Sequence, residues 1–416
     1  MRGLLKRLIG YSEKLFGWAD QILAKISDGW PAPRIPTAVS LKATLAMFWA
    51  RLGSLNALET VSSARLWIPW LGRTLCSVDT IGRVHAQLHC DGLRTGLHHI
   101  YERLKRNKAL PLNLGRDVAV LDGHESHASY RRHCSGCLRR IVSTERGERV
   151  QFYHRNVTLM LLPGALPGRA PLRLLLDEEP QRPEEDEVAT ALRLLTRVLS
   201  AYPRAFDLLL ADALYATAPF LNFLLDHGKH ALVVLKDERR NLYQDVQGLL
   251  SLVPPQKGRY RARQCLWWDL ADLLSWPQVK VPLRVIRSRE TYCIRSQLTQ
   301  QLVQQTSDWI WVTTLPSAQL CTERAVAMGH QRWDIENHGF NELVNEWDAD
   351  HVYKHDPGAI EAFLLMAFLA YNIFHAFIAL NLKPQIRLGK PQVFWARLIT
   401  AELYVEAGRI LFNVPP

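Results

Sequence analysis

Three acidic side chains pose the chemical question. Asp122 follows Val-Ala-Val-Leu and Asp212 follows Leu-Leu-Leu-Ala, so each closes a short apolar run of the kind that forms a buried strand. Two such strands side by side would bring the carboxylates together at an open sheet edge. Like charges that close repel unless a cation neutralises them, and an all-oxygen site suits Mg²⁺ or Mn²⁺. Two ions about 3.5–4 Å apart can activate an attacking oxygen and stabilise a leaving one in phosphoryl transfer. A lone Asp after a strand more often caps a turn or helix, so the pair carries more than either member. The third acid is Glu336 in His330-Gln-Arg-Trp-Asp-Ile-Glu-Asn-His-Gly-Phe340. Arg332 stands four residues before it, which on one helix puts both on the same face. In isolation that pair reads as a surface ion pair; after a β-rich stretch the Glu can complete a metal site, with Arg332 orienting it or holding phosphate.

A second cluster is His124, His127, His133, Cys134 and Cys137. Cys-x-x-Cys with upstream histidines, His133, Cys134 and Cys137 above all, could hold a structural Zn²⁺. The second, regularly spaced pair that would make the signal strong is missing, and a free-thiol turn with solvent-facing imidazoles is the alternative. Among Trp267, Trp268, Trp276, Trp309 and Trp311, one could stack on an unpaired base; tryptophans in a β-rich segment are mostly core.

These residues need a scaffold, and the texture of the chain outlines one. Residues 1–112 read as an all-α domain: apolar residues recur at three- and four-residue spacing in Leu4–Ile26 and Val39–Leu58, and Ser77–Lys108 reads as two short helices. From Arg116 the pattern becomes a strand closed by Asp122-Gly123, strands at Arg149–Leu162 and Pro171–Leu176, and a helix opened by Pro183 with an acidic first turn. The strand before Asp212, the helix Ala218–His227 and the strand Ala231–Leu235 follow. This alternation predicts an α/β core, a mixed sheet flanked by helices, over residues 113–385, interrupted by a β-rich insertion at about 245–325. Two helices, Thr322–Trp347 and Ile360–Leu380, are expected next, then a helical tail over 386–416.

The charge is unevenly spread. Of 51 basic and 40 acidic residues, 16 and 7 fall in the first 110, leaving 35 and 33 for the rest. A basic domain beside a near-neutral one suits a polyanion-binding module on a catalytic core, or a solubilising surface. With 48% hydrophobic and 22% charged residues the chain reads as folded rather than disordered. Seven scattered cysteines and the amphipathic start point to reduced thiols in a cytoplasmic compartment. The one long apolar stretch, Ala362–Leu382, is broken by Asn372, His375 and Asn381 and reads as a buried helix, with no membrane partner.

Asp122 in Val-Leu-Asp-Gly, Asp212 in Leu-Ala-Asp-Ala-Leu-Tyr and the late Arg332-x-x-x-Glu336 together resemble bacterial insertion-sequence transposases of the DDE class. In one branch of that class a β-rich insertion separates the second Asp from the Glu, which lies in a tyrosine–arginine–glutamate–lysine signature. The resemblance spans roughly residues 115–380. It implies an RNase H-like core, Asp122, Asp212 and Glu336 on Mg²⁺ or Mn²⁺, Arg332 at phosphate, nicking of terminal inverted repeats in double-stranded DNA, strand transfer into target DNA, a homodimer on paired ends and a place at the bacterial nucleoid. The signature tyrosine position holds Gly329 and the lysine position Leu343. Lys236 and Lys354 stand as substitutes for that DNA grip. A nuclease on the same core, and a catalytically decayed transposase that only binds DNA, are the alternatives.

Overall fold

A computed structural model describes residues 3–17, 22–31, 33–145, 147–236, 240–296 and 300–408. Its helices are α1 (Leu4–Phe16), α2 (Thr37–Trp49), α3 (Leu55–Thr60), α4 (Trp67–Leu71), α5 (Val78–Ala86), α6 (Cys90–Arg106), α7 (Glu187–Ala201), α8 (Ala218–Asp226), α9 (Asn241–Leu250), α10 (Thr322–Gln331), α11 (Asn341–Trp347), α12 (Pro357–Ala376), α13 (Pro384–Arg387) and α14 (Gln392–Glu406). Its strands are β1 (Val118–Ser129), β2 (Leu138–Thr144), β3 (Gly147–Leu161), β4 (Leu174–Pro180), β5 (Leu208–Ala211), β6 (His230–Val234), β7 (Gln256–Tyr260), β8 (Arg263–Leu273), β9 (Leu283–Arg295) and β10 (Leu302–Thr313). The fold is the mixed α/β type expected, a mixed sheet with helices, consistent with an RNase H-like arrangement.

Two compact units divide the chain: residues 1–111, 123–190 and 336–416 form one, and 112–122 with 191–335 the other. In the first, α12 is the central helix, contacting α2, α5, α6 and β4. Pro357 sits in its first turn and the Asp356 side chain accepts from Ala359 N–H, so its start is capped. Its residues from Ala362 to Ala376 are almost all buried, including Asn372, whose side-chain amide donates to Leu175 O and whose oxygen accepts from Leu175 N–H on β4. Of the polar interruptions of the apolar stretch, Asn372 is thus satisfied inside the core, His375 meets Glu342 at 2.7 Å, and Asn381 is exposed. Arg94 of α6 joins this core through Asp177 at 3.1 Å and Glu361 at 2.6 Å, with Glu178 at 3.6 Å.

In the second unit, β5 runs parallel to β1 and to β6, and β6 pairs antiparallel with β10. An antiparallel meander then runs β10-β9-β8-β7. The β-rich insertion therefore extends the sheet from β6, and Trp311 at its buried end is 1% exposed.

Several boundaries differ from the sequence reading. β1 does not stop at Asp122-Gly123 but runs on to Ser129. Gly123 serves close packing rather than a turn, because a Cβ there would fall on the Glu187 carboxyl. α7 starts at Glu187 and not at Pro183: Glu184 takes a left-handed backbone (φ 67), and Asp186 Oδ1 accepts from Ala189 N–H as the cap. β2 was not foreseen; its Arg139 and Arg140 are exposed and interrupt any clear apolar alternation. The stretch Val39–Leu58 is broken at Arg51 (φ 48) and Gly53 (φ 68), with Ser54 capping α3. The segment expected as one helix over Thr322–Trp347 leaves α-geometry after Gln331, turns at Arg332-Trp333, and passes through a π-helical stretch at Glu336–Phe340 before α11. Gly339, a poor helix former, lies inside that stretch.

Candidate active site

The parallel pairing of β1 and β5 positions the first two acids. Val118 lies opposite Leu208 and Val120 opposite Leu210, a constant offset of 90 residues. Carried two residues further, the same offset places Asp122 opposite Asp212. Adjacent strands lie about 4.8 Å apart, so carboxylates in register on neighbouring parallel strands share one patch of sheet. β5 ends at Ala211 while β1 continues, so the pair stands where the partner strand stops. Asp212 is still extended (φ −81, ψ −177), and its Oδ1 accepts from Leu214 N–H at 2.8 Å. Asp212 therefore caps the following turn.

Arg332 joins them. Its Nη1 lies 3.4 Å from Asp122 Oδ2, and the two side chains are 9% and 15% exposed. The guanidinium also sits 4.0 Å over the Trp333 ring, which fixes its plane. Two residues earlier, His330 Nε2 meets Glu290 Oε1 at 2.6 Å, and Arg263 Nη1 meets Glu290 Oε2 at 2.8 Å. Burial of Glu290 alone would raise its pKa, but the His330 hydrogen bond and Arg263 outweigh that and hold it below the usual carboxylate range. This pair anchors the end of α10, the residues that deliver Arg332. Sequence inspection missed Glu290 and Arg263, because nothing local marks two residues that meet only through strand pairing.

Oxygen donors in register, one of them paired with a guanidinium, form a hard donor set that fits Mg²⁺ or Mn²⁺ and leaves negative charge for such an ion to balance. Glu336 opens the π-helical stretch of the other unit and is partly exposed. Lys236, just after β6, and Lys354, before α12, are both exposed.

Gly329 and Leu343 are both tightly packed. Gly329 lies in α10 against Trp311; a Cβ there would come 2.5 Å from Trp311 Cε2. The indole occupies the space that a side chain at 329 would need. Leu343 of α11 is 3% exposed and belongs to a core.

Trp267, Trp268 and Trp311 are buried, and Trp309 stacks on Trp311 at 6.1 Å, so these act as core. Trp276 is partly exposed under the Arg240 guanidinium, 4.5 Å from its ring centroid.

Of the Cys/His group, Cys134 and Cys137 come together, with His154 and His355 rather than His133. His133 stacks on Phe152 at 4.7 Å. His124, two residues past Asp122 in sequence, stacks on Phe340 at 4.6 Å, and burial lowers its pKa.

Residues 175–373 match the family described as "Transposase DDE domain". That span holds Asp212, Arg332 and Glu336 and begins after Asp122. The match supports a DDE-class transposase. The solved cryo-EM structure of piggyBac transposase synaptic complex with hairpin DNA is similar at a TM-score of 0.43 and 9% identity, over 98% of this chain and 82% of that one. Comparison with curated proteins gave no sequence match.

Proposed function

We propose that this protein is a DNA transposase that cleaves the ends of its own element and transfers the freed strand into target DNA with divalent metal. The reading rests on the parallel register of β1 and β5, which pairs Val120 with Leu210 two residues before Asp122 and Asp212, and on Arg332 at 3.4 Å from Asp122. The transposase-domain match over residues 175–373 supports it independently. Glu336 is proposed as the third acid from its place four residues after Arg332; that tether keeps it within about 14 Å of the arginine backbone. Bound Mg²⁺ or Mn²⁺ would supply activation of the attacking oxygen and stabilisation of the leaving one.

The chain's own residues then divide the work. Asp122 presents its oxygens from β1 and Asp212 from the capped turn just after β5, positions that hold their spacing between turnovers. Asp212's cap bond to Leu214 N–H fixes its rotamer. Arg332 holds Asp122 oriented, and a guanidinium is the group suited to contact a DNA phosphate. Exposed basic residues among the first 110 supply affinity for duplex DNA, with Lys236 and Lys354 as additional contacts to the phosphate backbone. Paired ends held by a homodimer complete the reading.

The test is cleavage of DNA carrying the terminal repeats of the element, with Mg²⁺ or Mn²⁺. Wild type should nick the ends and join them to a target; Asp122→Asn, Asp212→Asn and Glu336→Gln should each abolish both while leaving DNA binding intact. Unchanged cleavage in any of the three removes that residue from the site. Nicking without joined products makes the protein a nuclease, and binding with no nicking under either ion makes it a DNA-binding protein only.

A further inference from the structure

Four metal-ligating side chains converge in the first unit, away from any role given to them above. The Cys134-Ser-Gly-Cys137 turn follows β1, His154 lies on β3, and His355 stands two residues before α12. One ligand atom from each, two sulfurs and two ring nitrogens, all lie within 4.8 Å of one another. His154 Nε2 is 3.2 Å from Cys134 Sγ and 3.2 Å from Cys137 Sγ. The sulfurs are 3.7 Å apart.

That last distance separates the candidate chemistries. A disulfide needs about 2.05 Å, so the thiols are not joined. Two sulfurs at about 2.3 Å from one zinc, at a tetrahedral angle, lie about 3.8 Å apart, close to what is observed. The turn has the local form of a metal knuckle: Cys137 N–H donates to Cys134 O, and Cys134 N–H donates to Cys137 Sγ, both at 3.2 Å. His355 Nε2 is buried with no hydrogen-bond partner among the described residues, an orphan that a metal bond would satisfy. Cys137 and His154 are buried, so the site is closed on at least that side, as structural sites are.

We infer that Cys134, Cys137, His154 and His355 bind one structural Zn²⁺. A tetrahedral S₂N₂ set selects zinc among abundant divalent ions, and two thiolates balance its charge. The ion ties three segments far apart in sequence: the turn after β1, the middle of β3 and the entry to α12. It therefore fixes the 348–356 connection between α11 and α12, which has no regular structure of its own. His133, which sequence spacing nominated, takes no part.

The protein purified from zinc-containing medium without chelator, and read by plasma mass spectrometry, should carry about one zinc per chain. Cobalt exchanged into it should give the strong visible bands of tetrahedral Co²⁺ and a thiolate charge-transfer band. Cys134→Ser with Cys137→Ser should lose both metal and bands, His355→Ala should weaken retention by at least about tenfold, and His133→Ala should keep full zinc. Zinc at the level of the buffer in the folded wild type overturns the inference, whatever the variants do. So does a thiol count two short of seven, which would mean an oxidised pair. Each readout is taken without DNA, so it stands apart from the transposase assignment.

Discussion

Gly329 offers a test in which two known effects have opposite signs. It lies within α10, and replacing a helical glycine with alanine ordinarily stabilises by about 1 kcal/mol, since the unfolded chain loses freedom. Here the new methyl carbon would stand 2.5 Å from Trp311 Cε2 and 2.7 Å from its Nε1. Ordinary carbon contacts lie at about 3.5–4.0 Å, so a gap of about an ångström must be opened. The ring cannot simply swing away: Trp311 is 1% exposed, stacks on Trp309 at 6.1 Å, and meets His330 edge-on at 5.3 Å. Overpacking a closed core costs about 1–3 kcal/mol, and with a rigid indole the upper part of that range applies. Net of the helix gain, Gly329→Ala should destabilise by about 1–2 kcal/mol. Urea unfolding followed by far-ultraviolet circular dichroism reads this as a lowered midpoint at constant slope. Trp311→Phe, which removes the clashing ring edge, should cost stability alone but restore part of the loss when combined with Gly329→Ala. A Gly329→Ala protein more stable than wild type by about 1 kcal/mol would refute the packing argument. It would then follow that the signature tyrosine is absent here for some reason other than Trp311.

Other expectations follow from single contacts. Arg332→Ala should lower the rate of end cleavage about 10–100-fold, the usual effect of losing a group that orients a metal ligand, with KM for DNA little changed; a rise in KM at constant kcat would assign Arg332 to phosphate instead of Asp122. Arg94→Ala strands Asp177, Glu178 and Glu361 without their shared cation and should cost about 3–5 kcal/mol in thermal or urea unfolding; a loss under 1 kcal/mol would show that the pocket takes water or protons cheaply. His85 is fully buried on α5, stacked on Phe363 at 4.1 Å, and burial lowers its pKa from 6.5 to about 4 despite its bond to Ile81 O. Because the unfolded chain binds that proton first, stability should fall as pH drops from about 6.5 towards 4, by about 3 kcal/mol in all, and His85→Gln should lack this component; parallel pH curves would refute it.

How far this was legible from sequence varies by element, and the causes are physical. β5 and β6 were visible because a strand buried on both faces must be almost wholly apolar, as Leu208–Ala211 is. Asp212 was visible for the same reason, as the first polar residue after it. β1 was half visible: Val118–Leu121 follows that rule, but Gly123 looked like a stop when its small size instead admits Glu187. The acidic run after Pro183 looked like a helical first turn, yet only the final acids belong to the helix and its cap. The departure from α-geometry at Arg332 has no local signature apart from Gly339, since it reflects what the chain packs against. His154 and His355 were out of reach of spacing arguments altogether: they lie 17 and 218 residues beyond Cys137, and only folding makes them neighbours.

The continuation of β1 past Asp122 changes what that strand does. A strand ending at Asp122 would leave the acid on a flexible edge, free to relax away from Asp212. The strand instead runs on for seven residues past Asp122, to Ser129. Its front is fixed by pairing with β5. A like-charged pair is costly to hold in register, and it persists where the surrounding chain over-determines its backbone.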